Sequence, residues 1–164
     1  MNFFKLITKY IISRLSIKKN GNPRANDSNT FLNNDNEINI DSNTHEKIDN
    51  YKFEKTKALI HREIDKDNPA EEMGNLLEAV IELLNYPGND FCWSSWENAD
   101  SAVEEIESLL KKIRNNIIPN KIEISILFAP TGPLQEVSLS SGWGDGFLKI
   151  AEKYDQIERI IWRY

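Results

Sequence analysis

The side chains best suited to chemistry fall in three short stretches: Phe91-Cys92-Trp93, Gly142-Trp143-Gly144-Asp145-Gly146, and the acids between Glu97 and Glu107. A nucleophilic Cys92 needs a base within hydrogen-bond reach, and His61 is the one histidine in the part of the chain expected to fold. No spacing brings the two together, so Cys92 reads as a small buried thiol between two aromatics. The glycine-rich stretch exposes backbone N–H groups before a helix, as phosphate-binding loops do. It lacks the Gly-Lys-Ser/Thr ending and the strand–helix–strand frame of such loops. It therefore reads as a bend, with Asp145 capping the last helix. One cysteine and two histidines assemble no Cys/His zinc site, and no Glu-x-x-His pair offers a di-metal centre. No catalytic residue, metal or cofactor is expected from these patterns.

Glu97, Asp100, Glu104 and Glu107 recur at helical spacing, opposite an apolar stripe. Paired carboxylates act as acid and base, or hold a metal, when partly buried in a polar pocket. In an exposed row they form a solvated face or a docking surface for a basic protein, where charge complementarity speeds association. Trp93, Trp96 and Trp143 sit at loop positions from which aromatics commonly anchor an interface. These seven residues are the candidate partner-binding set. The Ala129-Pro130-Thr131-Gly132-Pro133 turn is a further candidate, because a rigid loop loses little entropy on binding.

The elements that must position these residues are read from periodicity. Tyr51, Lys55, Leu59, Ile60 and Ile64 give a modest helical stripe to about residue 66. Asn68-Pro69-Ala70-Glu71 reads as a helix start, with Asn68 as cap and Pro69 at the first position. Met73, Leu76, Leu77, Val80, Leu83 and Leu84 form its buried face, and Pro87-Gly88 ends it. A helix beginning near Trp96 carries Ala99, Ala102, Val103, Ile106, Leu109, Leu110 and Ile113, with cations in the last turn. In Lys121–Phe128 every even position is apolar, which predicts a half-buried strand. Leu134–Leu139 is its predicted return strand, with Val137 and Leu139 inward. A last helix carries Phe147, Leu148, Ala151, Tyr154, Ile157, Ile160 and Ile161. The expected class is α+β: three or four helices packed on a small antiparallel hairpin or sheet.

Charge divides the chain. Residues 1–24 hold six cations and no acid, leaving a net −12 on the remainder. On a helix, Phe3, Phe4, Leu6, Ile7, Tyr10, Ile11, Leu15 and Ile17 share one side of residues 1–19. Lys5, Thr8, Lys9, Ser13 and Ser16 share the other, and Ile12 and Arg14 break the pattern. This segment reads as a basic amphipathic helix suited to an anionic membrane surface or to its own domain. Residues 20–49, rich in asparagine, read as a flexible linker, and residues 50–164 as the globular domain. An acidic body disfavours nucleic acid. The expected function is a cytoplasmic protein-binding domain that masks or regulates a basic partner, as an immunity-type toxin inhibitor does. Two alternatives stand beside it: an enzyme with an unrecognised carboxylate-based site, and an adaptor tethered to the inner face of a membrane through residues 1–19.

Overall fold

Six helices make up the ordered architecture of residues 52–163, the part of the chain that the computed structural model describes. The amphipathic helix expected at 1–19 and the linker expected at 20–49 lie outside the described residues. In chain order the helices are α1 Glu54–His61, α2 Pro69–Leu84, α3 Ala99–Arg114, α4 Lys121–Phe128, α5 Pro133–Ser140 and α6 Gly144–Ile161.

The core is organised around α2, which is apolar over most of its circumference and polar along the side of Glu71, Asn75, Glu78 and Glu82. Met73, Leu76, Leu77, Ala79, Val80 and Leu84 are all fully buried, as expected of a helix surrounded by others. It packs against α1, α3 and α6. The last helix, α6, is the second organiser: it buries Phe147, Ile150, Ala151, Tyr154 and Ile157 and touches α1, α2, α4 and α5.

The first helix cannot cap itself. Phe53 precedes it in the left-handed region, with φ 47°, and contributes no side-chain cap. The Glu82 carboxylate reaches across from α2 and accepts the N–H groups of Lys55 at 3.0 Å and Thr56 at 2.8 Å. Two of the first-turn donors that a helix leaves unsatisfied are thus met by another helix. Thr56 is drawn inward, and its hydroxyl donates to the Ala79 carbonyl. The Phe53 ring packs on Tyr86, with centroids 5.4 Å apart.

Helix α2 starts at Pro69 as its sequence predicts, but Asn68 does not cap it; its side-chain amide donates to Asp65 instead. The predicted stripe to residue 66 is also interrupted, since α1 stops at His61 and Ile64 reaches the core from the following loop. That loop is fixed by Glu72, 3% exposed, whose carboxylate accepts from both terminal nitrogens of Arg62 at 2.5 and 2.7 Å. The Asp65 N–H adds a longer bond to it. Removing one partner of a buried pair strands a charge and costs about 3–5 kcal/mol. Arg62 is 39% exposed, so water re-solvates part of the loss. Arg62→Ala is therefore expected to lower unfolding free energy by about 2 kcal/mol, measured by urea denaturation.

The predicted strands at Lys121–Phe128 and Leu134–Leu139 are helices α4 and α5, and the described residues contain no strand or hairpin. The α+β expectation is corrected to all-α for residues 52–163. The physical reason lies at the helix starts. Asn120 accepts the Ile122 N–H at 3.0 Å while the Glu123 carboxylate turns back to the Asn120 N–H, a reciprocal cap for α4. Pro133 occupies the first position of α5, where its missing N–H costs nothing. Leu134 and Val137 then face inward at helical spacing, with Ser138 beside them. Burial in α4 falls on Ile124, Leu127 and Phe128, while Ile122 and Ile126 point outward. The α4–α5 turn closes tightly. Thr131 takes φ 61° there, unusual for a β-branched residue, and its N–H donates to the buried Gln135 at 2.7 Å.

Helix α3 begins at Ala99, later than the expected start near Trp96, because Asn98 and Ser101 form a reciprocal cap. Arg114, in its last turn, bonds Glu71 and Glu78 of α2 at 2.7 Å each. At the other end of the chain, α6 starts at Gly144, after a bend in which Gly142 adopts φ 81°. Trp143 stands at the cap position and its side chain makes no capping bond, so the expected cap by Asp145 is also corrected; Asp145 lies in the first turn.

Candidate functional site

The acidic row stands where the spacing placed it. Glu97, Asp100, Glu104 and Glu107 are all exposed, Glu97 just before α3 and the other three on its outer side. No ion pair holds any of the four among the described residues, as is also true of Glu54, Glu63, Asp67 and Glu136; the row is set apart by having four such acids along one helix and its entry. Glu71 and Glu78 are held by Arg114, Glu78 also by Lys55, Glu72 by Arg62, and Glu123 by Lys112. Those bonds hold the Glu78 and Glu123 carboxyls below the usual carboxylate range, chiefly through Arg114 and Lys112 respectively. The paired acids join elements to one another. The row on α3 joins nothing.

Glu104 also lines a groove of about 490 Å³ between α3 and α4. The Lys112–Glu123 pair bridges the two helices at this groove, and both of its residues line it. Its walls include Glu104, Glu105, Leu109 and Lys112 from α3, with Glu123 and Ile126 from α4. Ile126 is exposed, as are Ile122 one turn earlier on α4 and Ile117 and Ile118 in the stretch before that helix. Reading α4 as a strand had placed Ile122 and Ile126 inside, so this apolar rim was missed. The signal that locates it is the Asn120/Glu123 cap.

The three tryptophans do not act together. Trp96 is only 6% exposed, and its ring N–H donates to Glu105 at 2.6 Å, which pulls it into the core. Trp143 is half-buried, and its ring N–H donates to Asn89 at 2.8 Å. Trp93, at 75% exposed, is the one presented to solvent. Trp96 therefore lies in the core and not at the surface, and a carboxylate on the next helix satisfies its one polar atom.

Cys92 is exposed, not buried as its aromatic neighbours suggested. Asp90 accepts the Cys92 N–H at 2.9 Å in a tight turn that directs residues 92 and 93 outward. A hydrogen bond to that same carboxylate, with its negative charge, pushes the thiol above its usual range. This opposes formation of the thiolate that a nucleophile requires. His61 is also exposed, at the end of α1, and does not line the cavity to which Cys92 contributes. No group of three or more His, Cys, Asp or Glu side chains among the described residues is arranged to hold a metal ion. No helix among them is long and apolar enough to cross a membrane.

No protein-family model, curated protein or solved structure matches this chain. The functional reading therefore comes from geometry and charge alone.

Proposed function

We propose that this protein is an acidic helical binding domain that masks or regulates a basic protein partner, in the manner of an immunity-type toxin inhibitor. The observation that supports it is the uncompensated carboxylate row Glu97-Asp100-Glu104-Glu107. Like charges placed side by side repel, which costs a domain some stability. A surface of this kind gains when a cationic partner arrives, and it also steers that partner's approach. The exposed Trp93 and the isoleucine rim supply apolar contact beside the charge.

The test is a four-site reversal, Glu97→Lys, Asp100→Lys, Glu104→Lys and Glu107→Lys, compared with the unaltered chain in affinity capture from native lysate. All four side chains are exposed, so circular dichroism and melting are expected to stay close to the parent. The parent should retain a basic protein in stoichiometric amount. For that protein, the variant's association rate at low salt should fall by about 10- to 1000-fold. Equal binding by both proteins, or no stoichiometric partner for the parent, overturns the reading.

A further inference from the structure

Exposed apolar side chains scattered singly are normal on any protein. Here four of the five large ones among the described residues fall between positions 117 and 126: Ile117, Ile118, Ile122 and Ile126. Ile126 lines the α3–α4 groove, Ile122 stands one turn earlier on the same face of α4, and Glu104 and Glu105 line the α3 wall. A surface that is apolar along one edge and negative along the other calls for an occupant of the opposite pattern.

The chain carries such a segment. Residues 3–17 place Phe3, Phe4, Leu6, Ile7, Tyr10, Ile11, Leu15 and Ile17 on one side of a helix, and Lys5 and Lys9 on the other. Residues 1–19 contain no acid. We propose that this segment docks as a helix along the α3–α4 groove. Its apolar side would cover Ile122 and Ile126, and its lysines would face Glu104 and Glu105, the acids of α3 that line the groove.

Length and reach agree with this. A helix of residues 3–17 is about 22 Å long at ~1.5 Å per residue, close to the roughly 24 Å of α3. Residues 18–51 lie between the segment and the described domain, and fully extended they span at most roughly 120 Å. Covalent attachment makes the contact intramolecular, with an effective concentration in the ~mM range for a short connection. The occupied groove would also neutralise part of the acidic row, so an external basic partner would have to displace the segment. This proposal stands without that partner, because it concerns the isolated chain.

The experiment uses the full chain at micromolar concentration, prepared as an equal mixture of ¹⁴N- and ¹⁵N-labelled protein. A carbodiimide condenses neighbouring amines and carboxylates into amides, which are then located by peptide mass spectrometry. Lys5 and Lys9 should link to Glu104 and Glu105 within single isotopic species. The yield of these links should fall at least fivefold in Ile122→Ser/Ile126→Ser. The same fall is expected in Ile7→Ser/Ile11→Ser, which keeps every lysine and leaves the described domain untouched. Links distributed evenly over the acids of the domain overturn the proposal. Links of mixed isotope also overturn it, by making the occupant a second copy. So does an unlinked chain that floats with phosphatidylglycerol vesicles through residues 1–19, by making the occupant a membrane. None of these results depends on the capture experiment, so either proposal can fail alone.

Discussion

Replacing Tyr154 with alanine should remove about 3–5 kcal/mol of stability, the largest loss expected from any single substitution considered. Tyr154 is 1% exposed and stacks flat on Phe128, with centroids 4.4 Å apart and ring planes 3° from parallel. The pair joins α6 to α4, whose other contacts with α6 are few. Truncation would leave a cavity and also free the short α4 helix, taking the isoleucine rim with it. Tyr154→Phe separates the ring from the hydroxyl. The hydroxyl donates to Glu158 at 2.9 Å, and losing that bond should cost about 1 kcal/mol. Urea denaturation of the three proteins orders them as parent, phenylalanine, alanine.

The same residue sets a pH dependence. Burial, reinforced by the Glu158 carboxylate, raises the Tyr154 ionisation well above its ordinary value near 10.0. A raised folded-state value means that stability is complete below the unfolded value and declines as pH climbs past it, because only the unfolded chain releases the proton. One such group contributes a slope of about 1.4 kcal/mol per pH unit above pH ~10. Other tyrosines and the lysines titrate in the same range. The quantity to measure is the parent's loss between pH 9 and 11 minus that of Tyr154→Phe, and it should be positive.

Gly132→Ala is the second large effect, and its cause is space rather than conformation. Gly132 has an ordinary φ of −73°. A Cβ there would lie 2.6 Å from the Ile126 carbonyl oxygen, 2.7 Å from that of Ala129 and 3.1 Å from that of Leu127. These are backbone atoms at the end of α4, and a rotamer change cannot move them aside. The glycine N–H also donates to Ala129 at 2.8 Å, so the turn cannot open without losing that bond. Overpacking of this kind typically costs about 1–3 kcal/mol, and immovable neighbours place this site at the upper end. Gly146→Ala is the control: nothing lies within 4 Å of its would-be Cβ, and it is helical. There the substitution should stabilise by about 0.5 kcal/mol. Opposite signs in the two denaturation midpoints check both statements.

Four of the six helices could be read from periodicity, and three of them plainly because they are long. Over the 16 residues of α2 and α3 and the 18 of α6, a repeat of 3.6 is sampled four times or more. The eight residues of α4 sample it about twice. With apolar side chains at 122, 124, 126, 127 and 128, both a period of two and a helical stripe fit. Pattern alone could not decide. The Asn120/Glu123 cap could, and it is the type of signal that located the start of α2. The acidic row was legible because its helix was. Its apolar companion was not, since reading α4 as a strand turned Ile122 and Ile126 inward. The burial of Trp96 and the exposure of Cys92 depend on Glu105 and Asp90, through loop geometry that composition does not encode.

Glu82 gives the domain an unusual mechanical arrangement. Because the opening turn of α1 is clasped by a carboxylate from α2, tension arriving from upstream residues does not simply peel the short helix from its end. It passes through that clasp into the best-anchored rod of the molecule. The leading edge of the domain is thus moored to the last turn of α2, and whatever pulls on the chain ahead of Lys52 pulls against that helix.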